Sequence, residues 1–156
     1  MKRKVPMTND GHIKLKEELQ RLKSEDRPAV VKEIAIARAH GDLSENAEYH
    51  AAKDKQGFIE AKIRMIGDKL ARAEVIDISK VPRNRVAFGV TVILEDSETF
   101  EKKKYQLVGE DESDVHNGKI SITSPIARGL IGKVPDDDVE IVTPGGKREF
   151  TILEIL

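Results

Sequence analysis

The chain has 156 residues, 38% hydrophobic and 35% charged, with a formal net charge of −1 and no cysteine. Such a composition predicts a soluble globular protein of one domain or two small ones. It excludes disulfides, thiolate metal sites and a thiol nucleophile, and no apolar run is long enough to cross a membrane.

At the amino terminus, Met1-Lys2-Arg3-Lys4 is basic, but Thr8-Asn9-Asp10 follows instead of an apolar core, so no secretory leader is expected. Thr8 is placed to cap a helix through its hydroxyl. Leu15, Leu19 and Leu22 then recur on one helical face, and the stripe resumes at Val30, Ile34 and Ala37. Pro28 lies between the two runs and predicts a kink or a fresh helix start. Gly41-Asp42-Leu43-Ser44 ends this helix, Gly41 supplying the left-handed residue and Ser44 the next cap. A second helix is predicted from Glu45 to about Ala73, its stripe being Ile59, Ile63, Ile66, Leu70 and Ala73. Glu60 with Arg64 and Asp68 with Arg72 are spaced as one-turn ion pairs.

Two stripes joined by so short a link predict an antiparallel coiled-coil hairpin over 1–78, its second helix roughly 40 Å long. Leu15 should lie near Leu70, Leu19 near Ile66 and Leu22 near Ile63. Ala35, Ala37, Ala39, Ala47, Ala51 and Ala52 crowd toward the link and predict a slender tip. Residues 79–84 read as a linker, and the pattern beyond it changes to strands at 86–94, 105–108, 120–122, 139–143 and 149–155. Pro144-Gly145-Gly146-Lys147 is a hairpin turn signal. Ser124-Pro125 opens a short helix as cap and first residue. The fold class is therefore α+β, a helical hairpin followed by a small antiparallel β domain over 85–156.

Chemistry is concentrated at the hairpin tip. Asp42 and Glu45 lie three residues apart across the turn and can offer two hard oxygen ligands to a magnesium ion completed by another body. The plain alternative is that acids gather at helix N-termini because the dipole favours them. Arg38, Lys53 and Lys55 stand near the tip as candidate phosphate contacts or as ordinary solvated charge. Tyr49 is a candidate stacking ring or a packing residue. His12, His40, His50 and His116 have no metal-ligand spacing. Ser124, Pro125, Ile126 and Arg128 form a helix start that doubles as a candidate docking surface. No phosphate loop, dinucleotide fingerprint or nucleophile elbow is present. Met1–Lys80 holds 17 Lys+Arg against 14 Asp+Glu, and the remainder 10 against 14. That imbalance is too small for free nucleic-acid binding.

The ordered series Pro6-Met7-Thr8, Arg27-Pro28, Gly41 to Tyr49, Ala51-Ala52-Lys53, Val75-Ile76-Asp77, Val108-Gly109, Ser124 to Lys133 and Thr143 to Gly146 closely resembles the GreA/GreB transcript-cleavage factors. GreA is the nearer of the two. The likeness spans essentially the whole chain and implies a coiled-coil finger followed by a domain like the FK506-binding fold. It implies docking on bacterial RNA polymerase at the rim of the secondary channel, with the finger inserted. The tip acids, matched by Asp42 and Glu45, would help hold a second Mg2+ shared with polymerase. Backtracked nascent RNA would then be cut near its 3′ end by the polymerase, the factor itself being no enzyme. Arg38, Lys53 and Lys55 would face the extruded RNA. The resemblance further implies a cytoplasmic monomer with no stably bound cofactor. Pro135-Asp136-Asp137-Asp138 departs from the Gly-Asp common in the family, in a surface turn away from the tip. A prolyl isomerase is the competing reading of the β domain, but Phe88, Phe100, Tyr105 and Phe150 are few for an aromatic pocket. A purely structural coiled coil is a third.

Overall fold

The computed structural model describes residues 3–42 and 45–156. The first strand, β1 (Val5–Thr8), runs directly into helix α1 (Asn9–Arg21). The Thr8 hydroxyl accepts from the Gly11 amide at 3.1 Å, the cap the sequence predicts. After α1 comes a widened π turn, Leu22–Asp26, and then α2 (Arg27–Arg38). Pro28 is the reason. It has no amide to donate back to Ser24, and its ring crowds that turn. The helix accommodates the proline by letting the Arg27 amide reach five residues back to the Leu22 carbonyl. It bends its bonding pattern without breaking.

Helix α3 (Ala47–Ala71) returns antiparallel to α2. Leu22, Val30, Ile59, Ile63 and Ile66 are buried together, with Leu15, Leu19 and Leu70 packed against them. These are the predicted stripes, each buried aliphatic side chain contributing about 1.5–3 kcal/mol. Ala37 and Ala52 continue the buried seam toward the tip. Lys62 pairs with Glu18 at 3.1 Å, and Arg72 with Asp68 at 3.0 Å as the sequence anticipates. Glu60 feels the predicted Arg64 charge only as a secondary electrostatic pull, its hydrogen-bonded partner being Arg27. Arg27 grips both its oxygens across the hairpin, Nε to Oε1 at 2.7 Å and Nη2 to Oε2 at 2.9 Å. This fork holds the Glu60 carboxyl below its usual value and the Arg27 guanidinium above its own.

In the β unit, β2 (Ala73–Ile76) pairs with β1 in a small sheet that periodicity did not reveal. A five-stranded sheet contains β3 (Thr91–Asp96), β4 (Lys102–Val108), β5 (Lys119–Ser121), β6 (Asp138–Thr143) and β7 (Gly146–Ile155), in the order β5-β4-β3-β7-β6. Helix α4 (Pro125–Leu130) is capped by Ser124, whose Oγ accepts from the Ala127 amide at 3.2 Å. Val90, Val92, Leu94, Leu107, Leu130 and Ile152 lie at the centre of the core. The pair β6 and β7 closes through Pro144-Gly145, with Gly146 at φ +116°.

Two expectations change. The sheet is not wholly antiparallel, because β5 pairs parallel to β4 once residues 109–118 carry the chain back to the same end. Residues 86–90 are not strand but a buried loop, bonded to Lys133 and Leu107 through main-chain groups. The described chain gathers into two compact units. One compact unit holds His12–Ala73, and the other holds Lys4–Gly11 with Glu74–Leu156.

Within the second unit the amino-terminal segment is held by the β1–β2 pairing and by Glu112. Its carboxylate accepts from the Thr8 amide at 3.0 Å, from the Thr8 hydroxyl and from the Gly109 amide at 2.9 Å. Gly11 and Gly109 leave room for it, since a Cβ at either would strike the Glu112 side chain. The amino-terminal segment is thereby latched into the β unit. The stretch read as a linker is ordered too. Asp77 Oδ1 accepts from the Ser79 amide and hydroxyl, which holds the Asp77 carboxyl below its usual value. Arg83 donates to the carbonyls of Ile78, Val81 and Leu156.

Candidate functional site: the hairpin tip

The end of α2 tightens before it stops. The His40 amide donates to Ala37 O at 3.1 Å and the Gly41 amide to Arg38 O at 3.4 Å. Gly41 then takes φ +116°, the positive value predicted for it. Ser44, expected as the next cap, lies outside the described residues with Leu43. The cap of α3 is Asn46, whose Oδ1 accepts from the Tyr49 amide at 3.0 Å. Its Nδ2 donates to Ala37 O at 2.6 Å. One side chain thus closes both helix ends. Spacing gave no reason to prefer Asn46 over Ser44, since both residue types cap helices well.

Asp42 and Glu45 are both exposed, one residue beyond Gly41 and one before Asn46. They project at the point where the hairpin turns, remote in sequence from the β unit. Two carboxylates supply two oxygen ligands, well short of the six that magnesium takes. Among the described residues no group of three or more His, Cys, Asp or Glu could hold a metal ion.

The predicted cations behave differently from one another. The Arg38 guanidinium lies 5.8 Å from the centre of the Tyr49 ring, within cation–π range. Tyr49 also meets His50 edge to face at 5.6 Å. Lys53 reaches Gln56 on its own helix at 3.1 Å. Lys55 crosses the hairpin to Glu33 at 3.0 Å, so part of its charge is already answered. All three cations are exposed. In the β unit, Pro125 and Arg128 are exposed while Ser124 and Ile126 are half-buried. Of the aromatic side chains weighed for a pocket, Phe150 joins the core with Tyr105 packed against it, and Phe100 is 70% exposed.

The fold and tip define a protein in which a helical hairpin carries exposed acids at its turn and is followed in sequence by a small β unit. Two family descriptions fit it. "Transcription elongation factor, N-terminal" matches residues 5–75, and "Transcription elongation factor, GreA/GreB, C-term" matches 81–156. The transcription elongation factor GreA of Phenylobacterium zucineum (strain HLK1) is 57% identical over 152 residues, covering 97% of each chain. GreA of Hyphomonas neptunium (strain ATCC 15444) is 53% identical over 153 residues, covering 98% of each. The crystal structure of GreA factor homolog 1 (Gfh1) of Thermus thermophilus aligns over 99% of both chains, with 30% identity and a TM-score of 0.46. The chain belongs to the GreA/GreB family of transcription elongation factors.

Proposed function

We propose that this chain binds bacterial RNA polymerase, inserts its hairpin tip into the secondary channel and stimulates the polymerase's own cleavage of backtracked RNA. The observation that carries the reading is the pair of exposed acids at the turn of a hairpin whose returning helix has 25 residues. The family's established role in transcription elongation supports it.

The chemistry follows from what the tip has and lacks. Asp42 and Glu45 each present a hard anionic oxygen that can complete the shell of a cation held mainly by the polymerase. When bound, a magnesium ion supplies charge stabilisation and a more acidic water for phosphodiester hydrolysis. The chain's own part is delivery. A narrow alanine seam lets the tip enter, and the caps on α2 and α3 hold the backbone beside each acid. Arg38 and Lys53 lie where they can meet RNA phosphates, with Lys55 weakened for that role by Glu33. The Ser124, Pro125, Ile126 and Arg128 segment is the proposed contact with the channel rim. On this reading the protein is a cytoplasmic monomer that holds no cofactor by itself and is not a nuclease alone. No described helix is long and apolar enough to span a membrane.

The test is direct. Added to purified polymerase stalled in a backtracked complex, the protein should shorten the RNA from its 3′ end in a magnesium-dependent way. Transcripts of unchanged length would reject the proposal.

A further inference from the structure

We infer that Asn46 is the positioning residue of the tip, a clasp whose two-sided amide sets how Asp42 and Glu45 face one another. The inference rests on the functional reading above and extends it to a residue outside the acid pair.

Oδ1 of Asn46 caps α3 through the Tyr49 amide at 3.0 Å, and Nδ2 donates to Ala37 O at 2.6 Å near the end of α2. Ala37 O lies in the last turn of α2 and already accepts from the His40 amide at 3.1 Å, so Nδ2 fills its second lone pair from across the turn. The clasp therefore ties two helix ends through one planar group. It requires a donor and an acceptor on a short side chain. Aspartate offers no donor, serine has less reach, and glutamine is a methylene too long for the cap.

The clasp's location is what links it to function. Gly41 and Asn46 are the two fixed points of the turn, and the acids are the residues immediately inside them, Asp42 and Glu45. Each acid's main chain is one peptide plane from an anchored residue. A clasp that opens lets the helix ends part and the carboxylates with them. Ligands that must share one ion tolerate little of this, because a displacement near 1 Å can cost on the order of 100-fold in rate.

Asn46→Asp separates the two bonds, since it keeps the cap acceptor and removes the donor. Its added charge would draw a cation in, so a higher magnesium requirement would report lost geometry. Asn46→Ser repeats the test without added charge. Cleavage of a backtracked polymerase complex is followed across a magnesium titration, with amide hydrogen exchange at Tyr49 as the check on α3. For both variants, protection at Tyr49 and the factor concentration giving half-maximal effect should match wild type. The maximal rate should fall on the order of 10- to 100-fold, with recovery as magnesium rises. Superimposed magnesium curves for wild type and Asn46→Asp would overturn the clasp and leave the tip reading intact. RNA left uncut by wild type itself would overturn both.

Discussion

Asp96 is only 2% exposed, and three donors meet its carboxylate. The amides of Glu98 and Thr99 donate to Oδ1 at 2.9 and 3.2 Å, and Arg148 donates to Oδ2 at 2.8 Å. The backbone donors, ahead of Arg148, hold its pKa below the ordinary aspartate value. Its folded pKa lies under the unfolded value of about 3.9. Its stabilisation is therefore present above that value and is lost as pH falls through the lower, folded one. Asp96→Asn should melt at lower temperature at neutral pH and show a shallower loss between pH 5 and pH 2. Thermal melts across that range check it, and parallel curves for the two proteins would count against it. Asp136 makes a second residue-level case. It sits at φ +73°, where an L side chain is strained and glycine is not. Asp136→Gly should leave the fold intact and change stability by no more than about 1 kcal/mol, in the favourable direction. A loss larger than that in denaturant unfolding would refute the strain.

The helical hairpin was legible in advance because a coiled coil writes its contacts into local spacing. Leu22, Val30, Ile59, Ile63 and Ile66 were all named from periodicity, and all are buried together. Ile63→Ala should cost the hairpin about 2–5 kcal/mol, read by circular dichroism at 222 nm against temperature. What spacing could not show were partners chosen across the hairpin, Glu60 with Arg27 and Lys55 with Glu33. The Glu112 latch was equally hidden, since Thr8 and Glu112 are 104 residues apart in sequence. Nor did alternation betray the parallel β4–β5 pair, whose direction is set by residues 109–118 and not by either strand. Gly11→Ala would push the Glu112 carboxylate aside and strand the Thr8 amide. A loss of about 1–3 kcal/mol is expected, together with faster hydrogen exchange at Thr8. Unchanged exchange there would mean that the latch contributes nothing.

Across the whole molecule, the candidate acids were readable because a turn between two stripes must lie at a hairpin's end, and residues there are exposed. The residue that secures them was not, because asparagine and serine compete on equal terms as caps until the neighbouring carbonyl is seen. The division of labour is plain: a β unit with a packed core and a latched amino terminus, and a hairpin that ends in two carboxylates. The measurement bearing most directly on this account is cleavage of backtracked RNA by Asp42→Ala and Glu45→Ala, at limiting magnesium and equal occupancy of polymerase. Both variants should bind as wild type does and lose stimulated cleavage, with excess magnesium restoring part of it. Full cleavage by both under those conditions would contradict the account.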